Sequence, residues 1–149
     1  MMSISFSSAA WSRSAGKFSD AVAAGGAVVP GDAAVFTVSA SGDAKYLTVT
    51  AMLASTNDAF AAIRGVRLPN GIGDTVSVFG NAYEAGTETN SESCATIPGP
   101  PCGNGGVRDT GDAEGFVHLP SGIHGVGDLD PSVGDWRNPV IQVTIERID

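Results

Sequence analysis

VIQVTIERI, residues 140–148, alternates without a break. Ile141, Val143 and Ile145 fall on one side, and Gln142, Thr144 and Glu146 on the other. A period of two is the pattern of a strand with one face on a core and one in water. The same reading extends backwards through the chain. TVSVFGNA (75–82), AFAAIRGVRL (59–68) and KYLTVTAMLA (45–54) each read as strands. In AVFTVSA (34–40), Val35, Thr37 and Ser39 alternate with Phe36, Val38 and Ala40. The intervening SGD is a turn signal, so 34–40 and 45–54 are expected to pair as a hairpin. PNGIGD, after the 59–68 strand, has the residues of a tight reversal. GFVHLP (115–120) offers a further short strand, and Ile4 to Phe6 an edge strand. A short helical or loosely packed segment is expected about Lys17 to Ala24. Six or seven strands joined by loops predict an all-β chain, an antiparallel β-sandwich.

Composition agrees with that class. The 149 residues suffice for one domain with a real core, and 20 Gly and 8 Pro leave little room for long helices. No internal repeat or charge block divides the chain. Residues 1–30, rich in Ser, Ala and Gly, form an ill-defined N-terminal segment ahead of a domain over 31–149. Sixteen acidic residues against eight basic ones give a net charge of −8, which argues against nucleic acid and anionic membrane surfaces. No run approaches the length of a membrane span. The start, MMSISFSSAAW, has neither a basic n-region nor a sustained apolar run and is not read as a signal peptide. Cys94 and Cys102 flank ATIPGPP, whose turn residues let the two thiols meet; a disulfide suits an oxidising compartment.

The chemistry-bearing residues are mostly acids. NAYEAGTETN (81–90) places Glu84 and Glu88 four apart in a polar stretch at a strand end, and Asp58 stands in STNDAF at the start of another strand. Sandwich topology allows these ends to lie together. Like charges there are either solvated or neutralised by a cation, and spacing alone makes the solvated turn the more ordinary outcome. GDLDPSVGD, with Asp128, Asp130 and Asp135, has D-x-D spacing but lacks the other ligand positions of an EF-hand, so it reads as a turn. His118 and His124, the only histidines, have no zinc-site frame, and a structural role pinning the Gly-rich loop is expected for His124. Trp11 and Trp136 read as packing anchors, with Arg137 bracing the last loop against Asp135. No nucleophile elbow, catalytic cysteine frame or phosphate-binding loop is present, so the chain does not read as an enzyme.

Taken in order, MLASTNDAFAAI, NAYEAGTETN, IPGPPCG, GIHGVGDLDP and DWRNPVIQVTIERI resemble the spondin domain, in its bacterial single-domain form, over roughly residues 34–148. The resemblance implies a C2-like sandwich that binds Ca²⁺ through three acidic side chains, which here match Asp58, Glu84 and Glu88. Glutamate at both loop positions departs from the animal pattern and alters reach more than charge.

The expected function is a secreted calcium-binding module for adhesion or matrix contact, extracellular, on the cell surface or in the periplasm. Its partner is then an extracellular macromolecule or further copies of itself. A structural subunit of a fibre or coat is the alternative. A metal-dependent hydrolase on the same three acids, with His124 as base, is a third reading.

Overall fold

The computed structural model describes residues 4–5, 18–23 and 26–149. Its strands form one antiparallel sheet in the order β2-β1-β3-β4-β5-β6. The long members are β3 (Tyr46–Leu53), β4 (Ala59–Arg67), β5 (Thr75–Glu84) and β6 (Ile141–Glu146). Two short strands, β1 (Ile4–Ser5) and β2 (Ala27–Val28), extend the sheet beyond β3. The only described helix is a four-residue turn, α1 (Pro131–Gly134), capped by Asp130, whose carboxylate accepts the Ser132 N–H. The chain is therefore all-β.

Period-two alternation sets the inner face. Val49, Ala51 and Leu53 of β3, Ala59, Ala61 and Ile63 of β4, and Gly80 and Ala82 of β5 are all buried. Near the far end of β4 a bulge places Arg64 and Gly65 opposite Thr48, since Leu47 pairs with Val66 but Val49 with Ile63. Gly65 takes φ +65°, and its N–H is held by the Thr48 hydroxyl at 3.2 Å. The extra residue returns Val66 to the apolar face.

Irregular chain from the 85–140 region, rather than strands, covers the inner face at the Leu53 end. Leu53, Ala59, Ala61 and Ala82, all 0% exposed, pack against Trp136, Val140 and Ile141. Ile97, Ile123 and Leu129 form a second cluster, which Trp136 also joins. Small residues on both sides, Ala54 just past β3 and Gly99 in the loop, admit so close an approach. Gly99 donates to the Ala54 carbonyl at 2.6 Å, and a Cβ there would stand 2.8 Å from that of Ala54. The Cys94–Cys102 disulfide closes this loop, with Cα atoms 4.8 Å apart. Reducing it is expected to lower stability by roughly 2–3 kcal/mol through the entropy returned to the unfolded chain. Denaturant melts with and without reductant measure this.

Several expectations are corrected. Residues 34–40 form no strand, and the hairpin with 45–54 does not exist. Alternation gives a period but no ladder partner. β1 pairs with Met52 and Leu53 on that side of β3, while Val35 stands 96% exposed. The 34–40 stretch is tied instead by the Ser39 N–H to the Asp20 carboxylate at 2.7 Å. GFVHLP shrinks to one bridge, His118 with Glu84. Ile4–Ser5 is a strand, but it lies between β2 and β3 and not at an edge. Residues 18–23 are not helical; Phe6, Trp11, Lys17 and Ala24 lie outside the described residues.

Candidate cation site at the end of β4 and β5

Register builds the site. Ala59 opens β4 opposite Glu84, the last residue of β5, so Asp58 lies beside Glu84 at the same end of the sheet. Glu84 is thus a strand residue on the buried face, not a loop residue. The turn that follows wraps the Asp58 carboxylate. Asp58 Oδ2 accepts the Thr87 N–H and hydroxyl, each at 2.6 Å, and the Glu88 N–H at 2.9 Å. Gly86, at φ +67°, lets the 115–118 segment pass close by: a Cβ would lie 2.9 Å from the Phe116 nitrogen.

The second carboxylate has no such cradle. Glu84 is 4% exposed. Burial, the hydrogen bond with Asp58, and the charges of Asp58 and Glu114 together push its carboxyl up to about 9. Burial also acts to raise Asp58. The hydrogen bonds from Glu84, the Thr87 hydroxyl and the Thr87 and Glu88 N–H groups outweigh it and hold Asp58 below the ordinary value. At neutral pH the pair therefore shares one proton. Asp58 Oδ1 and Glu84 Oε1 are both buried and without a hydrogen-bond partner. Burying two carboxyl groups together is costly, and the shared proton relieves that cost in the structure as it stands.

This arrangement fixes a pH dependence. A carboxyl raised in the folded state favours folding below its unfolded value, and that contribution is lost as pH rises through the folded value. In EDTA, stability is expected to fall as pH rises from the ordinary 4.5 of Glu84 towards about 9. Urea melts across that range should show the decline in the parent and its flattening in Glu84→Gln.

Glu88 takes a different part. Its N–H belongs to the Asp58 cradle, but its carboxylate pairs with Arg108, Oε1 to Nε 2.7 Å. The Arg108 Nη2 also reaches the Thr87 carbonyl at 3.3 Å and hydroxyl at 3.1 Å. The structure thus brings Asp58 and Glu84 together and turns the Glu88 side chain to an internal cation. Among the described residues, no three His, Cys, Asp or Glu side chains converge on one point as they stand.

On the other side stand Glu114 and His118. The backbones of His118 and Glu84 exchange hydrogen bonds, Glu84 N–H to His118 O at 2.8 Å and His118 N–H to Glu84 O at 3.1 Å. His118 Nδ1 lies 3.1 Å from the Leu119 carbonyl, which can only accept, so Nδ1 carries the proton. Nε2 is buried without a hydrogen-bond partner, 3.8 Å from Glu114 Oε1.

Asp128, Asp130 and Asp135 hold local backbone. Asp128 accepts the Cys94 N–H at 2.8 Å, Asp130 caps α1, and Asp135 accepts the Ile123 N–H at 3.0 Å and pairs with Arg137. Glu92, which alternation and spacing do not single out, is the strongest brace. Its buried carboxylate accepts the N–H groups of His124, Gly125 and Val126 at 2.6, 2.7 and 3.0 Å. The Gly-rich loop is therefore held through the backbone of His124 and its neighbours by Glu92. Only the S-E-S placement of a lone acid in a polar run hints at this in the sequence.

No protein-family model matches this chain, and no curated protein or solved structure matches it.

Proposed function

We propose that the chain is a secreted, calcium-binding β-sandwich module of spondin type that presents its cation end to an extracellular macromolecule. One observation carries the reading: Asp58 and Glu84 are neighbouring acids at one end of the sheet, and each keeps one buried oxygen, Oδ1 and Oε1, that accepts from no N–H or hydroxyl group. Hard carboxylate oxygens suit Ca²⁺, which accepts high and flexible coordination. Asp58 and Glu84 supply two of the ligands, and Glu88 joins them by exchanging Arg108 for the ion. When bound, the ion supplies the positive charge that the acid pair lacks. It also ties the β3–β4 turn to the loop after β5.

The neighbouring surface fits a binding role. Phe116, Val117 and Leu119 are 62%, 60% and 62% exposed beside Glu84. Apolar side chains gathered on a loop next to an ordered ion make a contact face whose shape depends on that ion. The disulfide is compatible with an extracellular or periplasmic location, and no described helix is long and apolar enough to cross a membrane.

Thermal unfolding in EDTA and in millimolar CaCl₂ tests the reading. A ligand held only by the folded state stabilises by about 2.7 kcal/mol at a hundredfold excess over its Kd. The expected result is a rise of several degrees in the parent that is lost in Glu84→Gln. A parent indifferent to calcium after EDTA treatment would reject it.

A further inference from the structure

Asn70 and Gly71 lie in the turn between β4 and β5, at the end of the sheet away from Asp58 and Glu84. Their shared peptide group is held from both sides. The Asn70 carbonyl accepts from Arg147 Nη1 at 2.7 Å, and the Gly71 N–H donates to Asp74 Oδ2 at 2.9 Å. Both contacts ease removal of the amide proton. The guanidinium stabilises the negative charge left on the peptide oxygen, and the carboxylate receives the proton. We propose that Asn70–Gly71 is a self-modification site, at which the Gly71 nitrogen attacks the Asn70 side chain and asparagine becomes aspartate or isoaspartate.

The step balances with water as the only co-reactant. The Gly71 nitrogen gives its proton to Asp74 and forms a bond to Asn70 Cγ. The Cγ–Nδ2 bond breaks, and ammonia leaves with the proton that Asp74 returns. Water then opens the cyclic imide. Attack at Cγ gives aspartate, and attack at the Asn70 backbone carbonyl carbon gives isoaspartate.

The surroundings favour this pair over the chain's other Asn-Gly, Asn104–Gly105. Asn70 is exposed, and among the described residues nothing holds its carboxamide, so Cγ can turn towards the nitrogen. A Cβ at residue 71 would stand 2.9 Å from Asp74 Oδ2, so the carboxylate lies where a side chain would begin. Asn104 is tied down instead: its Nδ2 donates to the Cys94 and Ala95 carbonyls at 3.2 and 2.9 Å. Among the described residues no carboxylate accepts the Gly105 N–H. Conversion at Asn70 adds a negative charge beside Arg147, whose own carbonyl accepts the Gly73 N–H at 2.7 Å and ties this turn to the end of β6.

Prolonged incubation of the full chain at neutral pH, then reduction, trypsin and tandem mass spectrometry, tests the proposal. Cleavage after Arg67 and Arg108 leaves both Asn-Gly pairs on one peptide, so their conversion is read side by side. Asn70 is expected to convert at least tenfold faster than Asn104 in the folded chain. Urea should erase that lead, because the unfolded chain has neither Arg147 nor Asp74 in place. This comparison uses the parent alone and does not depend on how any variant folds. Asp74→Asn and Arg147→Gln should each slow conversion at Asn70 at least fivefold and leave Asn104 unmoved. The sign separates chemistry from bracing: if the two side chains only stiffen the turn, removing them loosens it and conversion quickens. Asn70 no faster than Asn104, a lead that persists in urea, or conversion at Asn70 unchanged or quickened in Asp74→Asn each overturns the proposal.

Discussion

Glu92→Ala is expected to cost the fold roughly 3–5 kcal/mol, taking about 1.5–3 kcal/mol for each hydrogen bond to a charged acceptor and allowing the freed donors to find some water. The carboxylate is 7% exposed and holds three successive N–H groups, those of His124, Gly125 and Val126. The Glu92 backbone works in the same junction: its carbonyl accepts the Asp128 N–H at 2.8 Å, and a Cβ on Gly127 would stand 2.6 Å from that oxygen. Removing the side chain therefore frees the whole turn that carries Ile123 and Leu129 into the second core cluster. Glu92→Gln tests the charge separately. It keeps the shape but points an NH₂ group at donors, and it should recover only a part of the loss. Denaturant melts give the magnitude, and amide exchange at residues 124–126 shows whether the loss is local or global.

Trp136→Ala should be nearly as damaging, by about 3 kcal/mol, the lower end of the range for large aromatic truncations because the ring is only half-buried. Its importance lies in position. Among the described residues it is the one side chain that packs on both the sheet cluster of Leu53, Ala59, Ala61 and Ala82 and the loop cluster of Ile97, Ile123 and Leu129. The first cluster is mostly alanine, which buries little surface per residue, so the indole supplies much of the apolar contact there. Trp136→Phe should restore about half of the loss. A Trp136→Ala variant within 1 kcal/mol of the parent would show that the loop layer packs without it.

The strands were legible where alternation was backed by a neighbour. β4, β5 and β6 fall within a few residues of the stretches their periodicity marks, because each has a long antiparallel partner. Residues 34–40 alternate as well and yet form no strand; the neighbour of β3 at Met52 and Leu53 is β1. The layer over the inner face was not legible at all. It is fixed by carboxylates reaching backbone N–H groups across 12 to 34 residues, as Asp135 reaches Ile123 and Glu92 reaches Val126, and such contacts leave no period. At the candidate site the meeting of Asp58 and Glu84 follows from strand order and register alone. The turn of Glu88 towards Arg108, twenty residues away, does not. His118 read as one member of an alternating strand. Its bridge to Glu84 is what gives it a place beside the acid pair.

Calcium titration by calorimetry at pH 7, repeated in two buffers of different ionisation enthalpy, tests the central claim most directly. The Glu84 carboxyl, pushed up to about 9, holds a proton at that pH, and an ion entering between Glu84 and Asp58 must displace it. The account predicts one saturable site with release of about one proton per ion, and loss of both in Asp58→Asn. Calcium bound without proton release would place the ion elsewhere on the acidic surface, and no saturable binding by the EDTA-stripped chain would contradict the calcium reading outright.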